Sequence, residues 1–357
     1  MKDNNRKNGI IVLIAIVAVS ILASVLGFIR DSRAESAGAA VSEKTVDTAS
    51  DASTAILKHM LSSSAASSKK NAPKHKSGKP YVARLFITGT IEESNQTYDQ
   101  KWLLDTVDAL KKDEDNKGII LFIDSPGGAV YQADELYLKL LDYGEKKPVY
   151  AYLASMAASG GYYIACSAKH IVANRNTLTG SIGVIAGQFL DITELMEKYG
   201  VKSETIHAGR NKNMGNLNEP VTDEQRQIMQ SVADECYEQF TGIVAERRKL
   251  PKEKVLELAD GRIYTAKQAK NNGLIDDVQP WEDMLISFFN AESEGNEYQV
   301  IDYKYEGSSS FYNYLWGMSG ASLPFGKSAS GLPEAVENVI NPKVPYPAYL
   351  YEAGTAR

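Results

Sequence analysis

The sequence has 357 residues, 43% hydrophobic and 24% charged, enough to bury one large α/β core or two small ones. A net charge of −6 argues against nucleic acid as a partner. Two cysteines, Cys166 and Cys236, make no disulfide framework and are expected as free thiols.

Gly9 to Ile29 runs without a charge behind Lys2, Arg6 and Lys7. About 20 apolar residues cross a hydrocarbon core of ~30 Å, whereas a signal-peptide core is shorter, roughly 7–15 residues. The expectation is a basic cytoplasmic tail over 1–8, a single uncleaved transmembrane anchor over 9–29, and an extracytoplasmic remainder held at the cell membrane. Small residues over 34–40 offer a signal peptidase an alternative, and Arg30 and Arg33 dilute the charge bias. Residues 30–79 are rich in Ala, Ser and Lys and read as a stalk. Lys69, Lys70, Lys74, His75, Lys76 and Lys79 form a basic patch within reach of anionic lipid, although a solvated linker explains them as well.

A globular pattern begins at Pro80. Tyr81–Ile87 alternates as a strand, Trp102–Leu110 has helical spacing, and Gly118–Ile123 is apolar enough for a strand buried on both faces. Ala133–Leu141 follows as an amphipathic helix, and Val149–Leu153 as the next buried strand. A helix starting near Ser159, a strand at His170–Ala173, a β-like Ser181–Ile185, a helix at Thr193–Tyr199 and a strand at Lys202–His207 continue the alternation. Such alternation implies an α/β core with largely parallel strands. Thr222–Lys249 reads as a long helix capped by Thr222 or Asp223. Lys252–Ala259 and Thr265–Asn272 are shorter helices, the second stopped by Gly273, and Trp281–Phe289 is apolar enough to close the core. The peptidase-sized unit is placed at 80–290. Residues 291–357 form an extension with an edge strand at Tyr298–Tyr305 and a Pro-, Gly- and Ser-rich tail.

Two glycine-rich loops follow buried strands, where α/β sheets keep their binding crevices. The first is Asp124-Ser125-Pro126-Gly127-Gly128, whose paired glycines free backbone N–H groups for a peptide or an oxyanion. No Gly-Lys-Ser/Thr follows, which excludes a P-loop. In the second, Met156–Tyr163, Ser159 stands at a strand-to-helix junction with Gly160 and Gly161 behind it. A nucleophile beside an oxyanion hole fits that layout. Glycines that merely let a helix pack on a strand are the plain alternative, and the GxSxG elbow is absent because Ala157 precedes.

A serine nucleophile needs a base. His59 and His75 lie in the stalk, whereas His170 and His207 border predicted strands. Lysine is the other option, as in Ser–Lys acyl-transfer enzymes. An ordinary lysine is neutral about once in 2,500 at pH 7, and making it a working base takes about 4 kcal/mol of desolvation or like-charge pressure. Composition alone does not choose among the lysines.

Taken together, Asp124-Ser-Pro-Gly-Gly128, Ser155–Tyr163, Thr179-Gly-Ser-Ile-Gly-Val184, Gly261–Ala269 and Gly273-Leu-Ile-Asp276 resemble the signal peptide peptidase A family. These are membrane-anchored serine peptidases of the Clp protease/crotonase-like fold. The resemblance, from about Tyr81 to Tyr305, implies an α/β fold of repeated β-β-α units behind an N-terminal transmembrane helix. It implies Ser159 as nucleophile, Lys212 in Gly209-Arg210-Asn211-Lys212 as general base, and Ser181 as the hydroxyl supporting the dyad. Gly128 and Gly160 are implied as oxyanion donors, with Gly127 in the same loop, and Asp124, where relatives often carry Asn, as a positioning group. Arg210 and Asn211 depart from the family's Lys and Tyr, so Lys212 has a rival reading as a surface lysine in a polar loop. Arg210 is expected beside it as a neighbouring cation.

The resemblance further implies hydrolysis of remnant signal peptides, without cofactor or metal, after an extended peptide adds beside Asp124–Gly128. Misfolded secreted protein and membrane-active peptides are compatible substrates, and the sequence does not choose among them. A ring-shaped homo-oligomer, in the nearest pattern an octamer, is implied, with serine and lysine of one site on adjacent subunits. Ala348–Ala353 resembles the tail that some relatives place in their own active sites. Two other classes stay open: a crotonase-type acyl-CoA enzyme and a non-catalytic membrane scaffold.

Overall fold

A computed structural model describes residues 78–307 and 348–350. The expected anchor, most of the stalk and most of the tail lie outside the described residues. Among the described residues no helix is long and apolar enough to cross a membrane.

The chain enters as β1 (Tyr81–Thr88), α1 (Gln100–Lys112) and β2 (Asn116–Ser125). Next come β3 (Gly127–Ala129), α2 (Val130–Gly144), β4 (Val149–Ala158), α3 (Gly160–Ala165), β5 (His170–Ala173) and β6 (Leu178–Gly180). After α4 (Thr193–Lys198) and α5 (Asp223–Arg248) lie α6 (Lys252–Leu258), β7 (Ile263–Thr265), α7 (Ala266–Asn271), β8 (Asp277–Val278), α8 (Trp281–Glu292), β9 (Gln299–Tyr303) and β10 (Ala348–Leu350).

Eight strands form one sheet in the order β7-β6-β4-β2-β1-β9, with β5 and then β8 branching from β4. Every pairing is parallel except β6 with β7. The period of two along each strand sorts its side chains onto two faces. Ala83, Leu85, Ile119, Leu121, Ile123 and Leu153 pack with α1, α2 and α3. Val82, Ile120, Tyr150, Tyr152 and Val172 pack on Met284, Phe288 and Phe289 of α8. That double burial is why β2 and β4 carry continuous apolar runs.

β4 is the strand that positions everything else. Its first half, Tyr150–Leu153, pairs with β5, and its second half, Met156–Ala158, turns to pair with β6. The register on β2 shifts at the same level, between Ile123 and Ser125. The carboxyl end of the strand thereby exchanges β5 for β6 as its neighbour within the same sheet and places Ser159 at the sheet's carboxyl edge.

Two expected strands are absent. Lys202–His207 is irregular and exposed throughout, with Ile206 94% exposed. Its β-prone residues join no sheet edge among the described residues, and β propensity expresses itself only against a neighbour. Ser181–Ile185 is not a strand either: regular pairing ends at Gly180, and Ser181 turns at φ 51°. By contrast, α5 starts where its cap predicts. Thr222 accepts from Gln225 N and the Gln225 side chain answers on the Thr222 N–H, a closed capping box. Only Phe240, Thr241 and Val244 of α5 are buried. Its N-terminal half, like Leu195, Tyr199 and Val201 before it, contributes nothing to the core of its own chain.

Candidate active site

Ser159 sits between β4 and α3 with φ 53° and ψ −118°. A non-glycine residue in that region costs about 1–3 kcal/mol and persists only where surrounding contacts impose it. Those contacts are visible. Ser159 N donates to Gly180 O at 2.8 Å, and Tyr163 N donates to Ser159 O at 2.8 Å. Small residues are required around it: on Gly160 a Cβ would lie 3.1 Å from the Tyr349 oxygen and 3.2 Å from Gly128 N, and on Gly161 3.0 Å from Ser125 O. A sharp strand-to-helix turn at a serine is thus made without the GxSxG sequence. The helix it opens supplies free N–H groups in its first turn.

The Asp124–Gly128 loop lies alongside. Ser125 Oγ donates to Gly89 O at 2.6 Å and accepts from Gly127 N at 3.1 Å. Asp124 Oδ1 accepts from Met156 N at 3.0 Å, tying the loop to the second half of β4. Beyond it, β3 is held on one edge by Ile91, whose N–H donates to Gly127 O at 2.8 Å and whose carbonyl accepts from Ala129 N at 2.8 Å. Gly127 has φ 102°, and a Cβ there would sit 2.1 Å from the Tyr349 oxygen and 2.7 Å from Gly160 N.

The other edge of β3 carries the chain's own tail. Ala348, Tyr349 and Leu350 pair antiparallel with Ala129, Gly128 and Gly127. On its far side Ala348 exchanges two hydrogen bonds with Ile185, at 3.0 and 3.1 Å. The segment is therefore a strand inserted between two backbone rails, with the Tyr349 carbonyl beside Gly127 and Gly160. The Tyr349 side chain is fully buried. It stacks on Tyr163 with centroids 5.0 Å apart, meets Phe240 at 4.8 Å, and donates from its hydroxyl to Cys236 O at 2.9 Å. Burial pushes the Tyr349 phenol well above its ordinary range, so it stays a donor.

Of the residues singled out from sequence, Ser159, Asp124, Gly127, Gly128 and Gly160 converge. Ser181 follows Gly180, whose carbonyl accepts from Ser159 N; its own N–H donates to Arg262 O at 2.8 Å, and it is buried. Ser159 and Ser181 are two of the four non-glycine residues with positive φ among the described residues. Lys212 does not converge. It lies exposed in a turn where its N–H donates to Gly209 O at 3.0 Å, and no hydrogen bond joins its side chain to Ser159. Arg210, expected beside it as a neighbouring cation, is paired with Glu224 of α5. Neither described histidine reaches Ser159. His170 Nδ1 lies 3.6 Å from Asp276, and His207 Nδ1 lies 3.1 Å from Gly209 O. Both cysteines are free thiols, and burial raises each above its ordinary pKa, Cys166 to about 12. No cluster able to hold a metal occurs among the described residues.

The groove's further walls escaped sequence reading. Ile91, Ile185, Cys236 and Phe240 carry no motif. Tyr163 lay within one but was not assigned a task.

Comparison with known proteins follows the same residues. The family model for peptidase family S49 matches residues 142–290, and that for Clp protease matches 82–197. A candidate protease of Synechocystis sp. is 40% identical over 204 residues, covering 57% of this chain and 71% of that protein. A candidate signal peptide peptidase SppA of Enterococcus faecium is 34% identical over 235 residues, covering 62% and 67%. The chloroplastic serine protease SPPA of Arabidopsis thaliana is 35% identical over 193 residues, 54% of this chain and 28% of its own longer one.

Proposed function

Because the chain belongs to peptidase family S49, the family of signal peptide peptidase A, and is a serine-type peptidase, we propose that it is an endopeptidase whose nucleophile is Ser159 and whose base is Lys212 of a neighbouring copy. The single observation that carries this reading is the course of Ala348–Leu350. An extended segment pairs with β3, and its Tyr349 carbonyl lies beside Gly127 and Gly160, next to the strained serine. A peptide substrate adding as a strand would follow the same course. Its scissile carbonyl then meets the N–H groups of Gly128 and Gly160 as negative charge develops on the oxygen. The Ser159 proton passes to neutral Lys212, an acyl-enzyme forms, and the resulting ammonium hands the proton to the departing amine. This main-chain path favours a peptide over the acyl-CoA reading, and the strained serine favours chemistry over a passive scaffold.

A base from a second copy is supported by what one copy lacks. Among the described residues Ser159 is buried with no titratable side chain hydrogen-bonded to it, while Lys212 stands exposed in a segment whose Leu195, Tyr199, Val201 and Ile206 are all uncovered. Packing that segment on an adjacent subunit would bury the apolar residues and supply the desolvation a lysine base needs. A ring built this way, anchored through residues 9–29 and fed with remnant signal peptides at the membrane surface, is the arrangement we propose. Mixing two inactive full-length variants, Ser159→Ala and Lys212→Ala, tests it. Random mixing of a head-to-tail ring should restore about a quarter of wild-type peptidase activity, since a working site needs one intact serine beside one intact lysine. No recovery from mixed subunits that demonstrably co-assemble would sink the shared site.

A further inference from the structure

The pocket that receives Tyr349 is assembled from three helices that meet at one hydrogen-bonded junction. Its wall is Tyr163, one turn after Ser159 on α3, lying nearly parallel to Tyr349 at an interplanar angle of 23°. The Tyr163 hydroxyl donates to Asp134 Oδ1 of α2 at 2.5 Å and accepts from Gln239 Nε2 of α5 at 2.7 Å. Tyr137, edge-on at 5.3 Å, and Phe240, tilted at 5.0 Å, hold the ring from two further sides. The pocket's floor belongs to α5, one turn before Gln239, where the Cys236 carbonyl takes the incoming hydroxyl. Gln239 is exposed and contributes nothing to the core, yet its amide is committed to a buried phenol. The bond therefore fixes the wall on α3 to the floor on α5.

We propose that Asp134 and Gln239 are specificity-determining residues: by clamping Tyr163 they hold a flat slot of set depth that selects peptides with tyrosine at the residue giving the scissile carbonyl. Two bonds to the hydroxyl, which lies on the ring's flip axis, fix where the ring stands, and Tyr137 and Phe240 packed against it hold its plane, so a branched aliphatic side chain meets a gap of the wrong shape. Depth is set by the same clamp, so a ring without the hydroxyl leaves the Cys236 carbonyl without its added donor. This inference rests on the reading of Ser159 as nucleophile.

The test uses the full-length enzyme and three peptides differing only in Tyr, Phe or Leu at that residue, with kcat and KM measured separately. Competition from the chain's own tail cancels in the ratios. Wild type should favour Tyr over Phe by about tenfold, the size of one net hydrogen bond, and favour Tyr over Leu by more. Gln239→Met, Asp134→Asn and Tyr163→Phe should each reduce the Tyr/Leu ratio of kcat/KM at least fivefold, through the ratio of the two KM values. In Gln239→Met and Asp134→Asn, kcat for the Leu peptide should stay within twofold. Gln239→Met should add nothing in a Tyr163→Phe background, a result that general loosening would not give. The proposal is overturned if Gln239→Met and Tyr163→Phe keep the wild-type Tyr/Leu ratio, or if activity falls equally on all three peptides. Should wild type cleave none of them, the nucleophile reading fails instead, and the clamp is judged by the same ratio in binding affinity to the Ser159→Ala protein.

Discussion

Replacing Tyr349 with alanine should open the groove. A buried tyrosine removes about 150–250 Å² from water, which at about 25 cal/mol per Å² is about 4–6 kcal/mol, and its hydroxyl bond to Cys236 O adds about 1 kcal/mol. Against this, ordering the three residues of β10 costs about 1–2 kcal/mol each, or about 3–6 kcal/mol together. Backbone pairing with β3 and Ile185 is left to balance the difference. Without the ring, the remaining contacts no longer offset the ordering cost, and the segment leaves. The assay is cleavage of an external peptide by Tyr349→Ala against wild type, with kcat/KM expected to rise at least tenfold, equivalent to about 1.4 kcal/mol of relieved competition. A second readout needs no turnover. In a Ser159→Ala background, a labelled peptide spanning 343–353 should bind the Tyr349→Ala chain at least tenfold more tightly than the chain that keeps its tyrosine. Equal cleavage and equal peptide binding in both chains would show that the tail does not hold the groove, and the reasoning would be wrong.

Other perturbations test different parts of the site. Gly128→Ala would put a methyl 1.9 Å from Ile91 O, so β3 must shift; activity should fall by about 100-fold or more while circular dichroism stays native. Asp276→Asn should destabilise the fold by about 3 kcal/mol in denaturant titration, because it strands the Arg248 guanidinium, whose side chain is 7% exposed. The same pair sets an acid limit. Burial alone would raise the Asp276 pKa, but the hydrogen bonds from Arg248 and Ile171 N hold it below the ordinary carboxylate range. Its stabilising contribution is therefore complete above the unfolded value of about 3.9 and is lost as pH falls through the lower folded value. Wild type should lose stability on acidification more steeply than Asp276→Asn; parallel curves would refute the assignment.

Sequence alone carried the strands that are buried on two faces, because Gly118–Ile123 and Val149–Leu153 must be apolar at every position to sit between α2 and α8. It carried the strand-to-helix turn at Ser159 too, since that turn tolerates only small neighbours. It failed at Lys202–His207, whose alternation suits a strand but finds no partner edge among the described residues. The groove's walls were illegible for a different reason. Ile91 and Ile185 act through their backbone, which no side chain reports, and Asp134 and Gln239 look like ordinary solvated helix positions until Tyr163 is placed between them. Lys212 was legible as a residue type in a motif, but the partner its chemistry needs is not among the described contacts of a single chain.

The slot between β3 and Ile185 acts as a thickness gauge. Both sides are main chain, a single strand fills the width, and a helix of ordinary diameter is about twice too broad. Whatever reaches Ser159 along the course of Ala348–Leu350 must first surrender its own helical or sheet hydrogen bonds. Folded neighbours are thereby spared without any residue having to recognise them, and discrimination falls on how readily a chain can be unravelled.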